Sequence, residues 1–464
     1  MKSFSLVSIS LLLAAATEFV YSAPTARGRA PESIKQIRRR GLEKGERTER
    51  YIVVLKEAEN RTWGEVFNDM GYDPTDVEDL KATPDFRMLK AFSRSFTLAM
   101  HNKEKEGVAA LSNIAYVQKD HIRFGAGVRI EDSRFNSVIK PKSKNAYRFP
   151  TIARRDGQPN IQTQNNAGWS LGRISSKHTI NKNGRDVNTL NFRYTFDAPC
   201  GSGVDVYVLD SGVNVNHVEF QGRAKNLFTA FNGDFRDEFG HGSNVAGIVG
   251  SRAYGVSKKV NILSLRVLDA NNSGSDSNFI EALQAVVTNH NKRKTEKGFV
   301  GSVVNFSIGG RGDNDLLEKA FQQVFAAGIH VTNSAMNANE DACTWHPQRY
   351  SQNSPMITVG NADIDDKKAA DSNFGACVTL HGPGEFIISA NNTDNEGISI
   401  FSGTSQASPG VAGVIADLML RFPKLRSNPQ AMKEFLVKTA GGNVAGATGG
   451  NKILNNVINF DNDP

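Results

Sequence analysis

The 464-residue sequence is poor in cysteine, with three in all. Three thiols permit at most one intramolecular disulfide, which excludes a scaffold held by several bridges. Apolar runs long enough to cross a membrane are also missing. The run Phe4–Ala16 is too short to span a bilayer and no later segment reaches that length, so no membrane anchor is expected. His217, His290, His330, His346 and His381 lack the mutual spacing of a metal site. Internal repeats and long low-complexity tracts are absent. The formal net charge of +7 is unevenly spread: residues 24–163 hold 27 Lys+Arg against 19 Asp+Glu, whereas 164–464 hold 27 against 28. The basic excess therefore sits outside the larger region, and a nucleic-acid partner loses its main support.

What the sequence does contain is three short segments in a fixed order. They are VDVYVLDSGV around Asp210, DEFGHGSNVAG around His241 and FSGTSQASPGVAG around Ser405. A serine hydroxyl is a poor nucleophile until a base takes its proton, and imidazole titrates near neutral pH. A carboxylate can hold that imidazole in the right tautomer and stabilise its charged form. These residue types point to Ser405 as nucleophile, His241 as general base and then acid, and Asp210 as orienting carboxylate. Asp210 follows the apolar run Val204–Leu209, read as a buried parallel strand, and ligand sites in such sheets lie outside the strand carboxyl ends. Ser405 precedes a helical stretch expected over 409–422, so its amide would point towards an anion formed nearby.

The order Asp, His, Ser and the contexts of all three resemble the subtilases, in particular the proteinase K and cerevisin group known mainly from fungi. The resemblance runs from about Trp169 to about Leu420. It implies an α/β fold, a subtilisin-like, mostly parallel sheet with helices on both faces, preceded by a small α+β (ferredoxin-like) propeptide domain. It implies Asn337, within HVTNSAMNANEDAC, as the side-chain donor to an oxyanion. Ser273-Gly274 and Ser307-Ile308-Gly309 correspond to the segments that flank a bound substrate. Met336 stands where the family has glycine, in the wall of the pocket for the residue before the cut, and would shrink or reshape it. Asn244 replaces a second histidine, Gln406 a methionine and Gly410 another histidine. Cys343 and Cys377 match positions where related sequences carry cysteines, which implies that pairing and leaves Cys200 a buried thiol.

The remaining organisation is that of a secreted precursor. Residues 1–22 read as a signal peptide, 23–50 as a basic linker, 51–125 as an inhibitory propeptide domain, 126–163 as a processing linker and 164–464 as the peptidase domain. The propeptide reading rests on a β-α-β-β-α-β alternation opened by RYIVVLK; the stretch from 126 to about 163 is basic and irregular, with Arg154-Arg155 inside it, and the maturation cut is expected within 150–165 at no named bond. Secretory sequons at Asn60, Asn271 and Asn391 sit in expected loops, whereas Asn305 lies in an expected buried strand and should stay bare. No cofactor is needed for the chemistry, although the acidic loop Asp363–Asp366 is compatible with a structural calcium ion. Two classes stay open: a monomeric secreted or vacuolar serine endopeptidase acting on peptides and proteins and held by its own propeptide, or a catalytically weak fold kept for binding or for a cell or spore wall. A broad esterase is a third possibility, because the same acyl chemistry cleaves esters.

Overall fold

The computed structural model describes residues 34–72, 74–83, 85–90, 94–130, 152–155, 158–180 and 186–458. The expected signal segment 1–22 lies outside the described residues. The first unit contains α1 (Ile34–Glu43), β1 (Glu49–Leu55), α2 (Trp63–Asp69), α3 (Pro74–Lys81), β2 (Arg87–Lys90), β3 (Arg94–Met100), α4 (Asn102–Ala109) and β4 (Ile114–Lys119). Its strands form an antiparallel sheet in the order β2-β3-β1-β4. The continuous apolar run of β1 is explained by burial on both faces. Tyr51, Val53 and Leu55 pack with Phe67, Phe96 and Val108, while Ile52 and Val54 pack with Leu283 and Leu317 of the larger unit. The helix α1 corrects the reading of 23–50 as a linker. Ile34 enters the same core as Val108, and Gly41 lies so close to the His101 ring that any Cβ would collide with it.

After this unit come β5 (Ile122–Gly125), β6 (Val128–Arg129), β7 (Ile152–Arg155), β8 (Gln158–Ala167), α5 (Trp169–Ile174) and β9 (Phe192–Asp197). The strands β7, β8 and β9 form one antiparallel sheet. The expected linker 126–163 therefore ends inside a paired strand, and residues 158–163 belong to the larger fold. Basic character had suggested a processing loop, but backbone pairing along β8 decides the structure.

The larger fold continues with β10 (Val204–Asp210), β11 (Ala224–Thr229), α6 (His241–Gly250), β12 (Asn261–Arg266), β13 (Ser273–Ser275), α7 (Asp276–Arg293), β14 (Gly301–Phe306), β15 (Ile308–Gly309) and α8 (Asp315–Ala326). It ends with β16 (His330–Ser334), β17 (Ile357–Ala362), β18 (Leu380–Pro383), β19 (Ile387–Ala390), β20 (Ile398–Ser402), α9 (Thr404–Arg421) and α10 (Pro429–Thr439). Seven strands make a parallel sheet in the order β11-β12-β10-β14-β16-β17-β18. Alternate residues of β10 serve opposite faces. Val204, Val206 and Val208 pack against α6, α9 and α10, and Tyr207 and Leu209 pack against α7 and α8. This is the expected α/β class with helices on both faces. At about 25 cal/mol per Å² of apolar surface, such two-sided burial is the main stabilising term of the sheet.

The first unit also caps this fold. Asp120 accepts from the Ser277 amide at 2.9 Å and the Ser277 hydroxyl at 2.8 Å, in the first turn of α7. Gln118 accepts from the Asp315 amide at the start of α8 at 3.1 Å. Helix N-termini carry unsatisfied N–H groups, so a carboxylate and an amide oxygen offered there fix the first unit on two parallel helices.

Candidate active site

Asp210 ends β10, at the carboxyl edge of the central sheet, and its carboxylate is fully buried. His241 opens α6, and its Nδ1 lies 2.7 Å from Asp210 Oδ1. Since a carboxylate only accepts, this contact puts the ring proton on Nδ1 and leaves Nε2 free to accept. Nε2 is buried and has no hydrogen-bond partner among the described residues. The close approach of α6 to β10 depends on Gly242, where a Cβ would run into the Gly212 carbonyl. Ser405 lies in the first turn of α9, which starts at Thr404, earlier than the expected 409, and carries Pro409 inside it. Its hydroxyl donates to the Ser307 carbonyl at 3.1 Å, turned away from the imidazole.

The segment that separates these side chains is residues 125–130. The Gly125 amide donates to Asn272 O at 3.1 Å and the Ala126 amide to Ser307 O at 3.1 Å. The Ala126 carbonyl accepts from the Ser405 amide at 3.1 Å and from Asn337 Nδ2 at 2.9 Å. On the far side β6 pairs with β20, Val128 opposite Ser402 and Arg129 opposite Phe401. An extended chain therefore crosses the three residues with one carbonyl held by two donors. The expected cut region near Arg154-Arg155 instead lies in the β7-β8 hairpin. Among the described residues, 125–130 is the segment that crosses the catalytic groups.

Asn337 is oriented by its other end. Its Oδ1 accepts from the Thr404 amide at 3.0 Å and the Thr404 hydroxyl at 2.9 Å, so its amino group must face Ala126. Gly403 keeps this space open: with φ at 139°, a Cβ there would sit 2.5 Å from Asn337 Nδ2 and 2.8 Å from Ala126 O. Ser273 and Gly274 in β13, and Ile308 and Gly309 in β15, pair with the two edges of β5, and Ser307 supplies the carbonyl next to Ala126. Met336 adopts a left-handed φ of 77°, a conformation that suits glycine. Its sulfur lies 2.7 Å from where a Gly309 Cβ would be, so the thioether occupies the wall beneath that strand.

The departures from the family pattern form contacts of their own. Gln406 Nε2 donates to Asn244 Oδ1 at 3.4 Å, and Asn244 Nδ2 donates to Ser399 O at 3.3 Å. Gly410 faces Ile174 and Leu454, an apolar spot away from the triad. Asp237 is a residue that sequence reasoning passed over. Its carboxylate accepts from the Ser211 hydroxyl (2.7 Å) and from the amides of Gly240 (2.7 Å) and Ser243 (2.8 Å), fixing the turn that presents His241. Burial raises its carboxyl above the ordinary range, and those hydrogen bonds pull it back. An acid four residues before His241, at a helix start, was the available signal.

A disulfide joins Cys343 to Cys377, and Cys200 is a buried free thiol. Asp366 is committed to Arg173, with Nε at 2.7 Å, and to the Thr179 hydroxyl at 2.6 Å. Among the described residues no three His, Cys, Asp or Glu side chains gather as metal ligands, and no helix is long and apolar enough to cross a membrane. Asn60 and Asn271 are exposed, Asn305 is buried, and Asn391 is half-buried with its amino group donated to Ile398 O at 3.3 Å.

Together, a parallel sheet carrying a buried Asp–His pair at one strand edge, with a serine at a helix start beside it, defines a class of serine hydrolase sites. The sequence model of the Subtilase family (peptidase S8) matches residues 201–458, and the chain belongs to that family. It is similar to the subtilisin-like serine protease Cur l 4.0101 of Cochliobolus lunatus, 36% identical over 290 residues, covering 61% of this chain and 55% of the relative. Subtilisin-like protease 8 of Trichophyton verrucosum is 37% identical over 60% of this chain and 58% of its own, and cerevisin of Saccharomyces cerevisiae 38% over 55% and 39%. The chain thus spans somewhat over half the length of the first of these relatives. Among solved structures, a cold adapted subtilisin-like serine proteinase superposes with a TM-score of 0.53 at 35% identity, covering 63% of this chain and 99% of that one.

Proposed function

We propose that this chain is a serine endopeptidase made as a precursor, with Asp210, His241 and Ser405 as its triad. The observation that carries the reading is the Ala126 carbonyl held between the Ser405 amide and Asn337 Nδ2. Two converging donors on a peptide carbonyl are what an acyl-transfer transition state requires. In the reaction, Ser405 Oγ rotates from Ser307 O towards His241 Nε2, gives up its proton there and attacks the carbonyl carbon. The imidazolium, stabilised by Asp210, then protonates the departing amine. Water, deprotonated by the same imidazole, releases the acid and restores Ser405. The chemistry uses no cofactor.

In the precursor, residues 34–126 act as intramolecular inhibitor and folding template, and Ala126–Gly127 is the bond cut in cis. Docking of Asp120 and Gln118 on α7 and α8 supports this role, because it fixes the first unit before the cleft segment is threaded. The Asn244–Gln406 contact supports activity over a purely binding role, since the two replacements pair with each other and leave the triad intact. The expected route is secretory, ending outside the cell or in a vacuole, with a monomer acting on peptides and proteins. Fluorophosphonate labelling tests the reading: the mature protein should be modified at Ser405 alone, and a cut, folded protein that resists the reagent would refute it.

A further inference from the structure

The strand that enters the site carries an arginine in an unusual place. Along β5, Ile122 and Phe124 are about half exposed, whereas Arg123 is fully buried. Counting back from Ala126, Arg123 is the fourth residue before the bond. Its Nε and Nη2 bond the two carboxylate oxygens of Asp276, Nη2 at 2.8 Å. Its Nη1 donates to His346 O at 3.1 Å, and Nη2 also to Gly312 O at 3.2 Å. Asp276 is itself fully buried at the start of α7, and Asn314 Nδ2 donates to its Oδ2 at 2.8 Å. Among the described residues Arg123 is its one ion-pair partner.

Asp276, Gly312, His346 and Asn314 all belong to the catalytic fold, and they outlast the first unit once it is cut away. They leave a planar pocket with a carboxylate and two carbonyls pointing inward, matched to a guanidinium fork. An apolar occupant would strand a buried carboxylate, and a lysine would satisfy one acceptor direction only. The positions nearer the bond are narrow. A Cβ on Gly125 would come within 2.5 Å of the Asn272 amide, and one on Gly127 within 2.7 Å of His241 Nε2. Met336 lies beneath Gly309, its sulfur 2.7 Å from where a Cβ on that glycine would be.

Resting on the peptidase reading, we infer that Asp276 makes this an enzyme for chains bearing arginine four residues before the cut and small residues around it, of the form Arg-x-Gly-Ala followed by Gly. The segment 123–127 is the first such sequence it meets.

The test uses protein matured from the full chain, its active sites counted with fluorophosphonate. Three coumarin amides are compared: Arg-Phe-Gly-Ala, citrulline-Phe-Gly-Ala and Leu-Phe-Gly-Ala. The arginine peptide should exceed the other two by roughly a hundredfold in kcat/KM, and Asp276→Asn should reduce that ratio to a few-fold. The wild-type series stands alone if the variant fails to fold. Labelled enzyme that cleaves all three alike overturns the inference and spares the peptidase reading. Protein that neither labels nor cleaves overturns both.

Discussion

Replacing Asn337 by alanine removes one of two donors on the Ala126 carbonyl while leaving the Ser405 amide in place. The lost contact is 2.9 Å long and points at the oxygen that becomes negatively charged during attack. Deleting one such donor costs about 2.7–4 kcal/mol in the transition state, or roughly 10²–10³ in kcat. The ground-state carbonyl needs that donor less, so KM should move little. The same loss should slow the internal cut, so precursor accumulates in proportion. Thr404→Val provides a graded control. It removes the hydroxyl that donates to Asn337 Oδ1 but keeps the Thr404 amide doing so, and should cost roughly tenfold or less. In the double variant the part of the threonine effect that acts through Asn337 should vanish, leaving only the loss at the Met336 amide, which donates to the same hydroxyl at 3.0 Å. The assay is kcat and KM on one peptide after active-site titration, with conversion of precursor followed by mass. A kcat for Asn337→Ala within threefold of wild type would refute the assignment of that donor.

Three further outcomes follow from other parts of the molecule. Gly403→Ala should give a folded but inactive precursor by circular dichroism and labelling, because the new methyl occupies the space between Asn337 and Ala126; normal activity would show that the gap is not needed. Converting both Cys343 and Cys377 to serine opens a 34-residue separation and should lower stability by about 3–4 kcal/mol in thermal unfolding. Burial raises the Asp417 carboxyl from 3.8 to about 7, with the Ser257 hydroxyl donating to it at 2.6 Å. The folded state therefore keeps a proton the unfolded chain has lost between about pH 4 and 7, and this group's stabilisation declines as pH rises through that window. Asp417→Asn should raise Tm more at pH 8 than at pH 5, by an amount of order 2–4 kcal/mol in stability; an equal shift at both would contradict the burial argument.

Much of the fold was legible because its signals are local. The apolar run before Asp210, and the helix-start residues around His241 and Ser405, each sit within ten residues of sequence. The α1 helix was missed because basic residues dominate it, although Ile34 and Ile37 lie one turn apart on the face that meets α4. The cut proposed from the structure falls outside the expected 150–165 window for a related reason. Arg154-Arg155 looked like a processing signal, whereas Ala126-Gly127 carries no signal apart from its position against the donors. Asp276 and Arg123 lie 153 residues apart, so only the folded chain brings them together. Met336 was recognised as a departure from the sequence, but its left-handed backbone and its packing under Gly309 are properties of the fold.

The most direct measurement is the intact mass of the chain expressed through a secretory host, wild type beside Ser405→Ala. The account predicts a wild-type product whose amino terminus is Gly127, absent from a variant that stays joined at Ala126–Gly127. The same product in both, with no other protease present, would contradict the account, as would a wild-type chain that is never cut there.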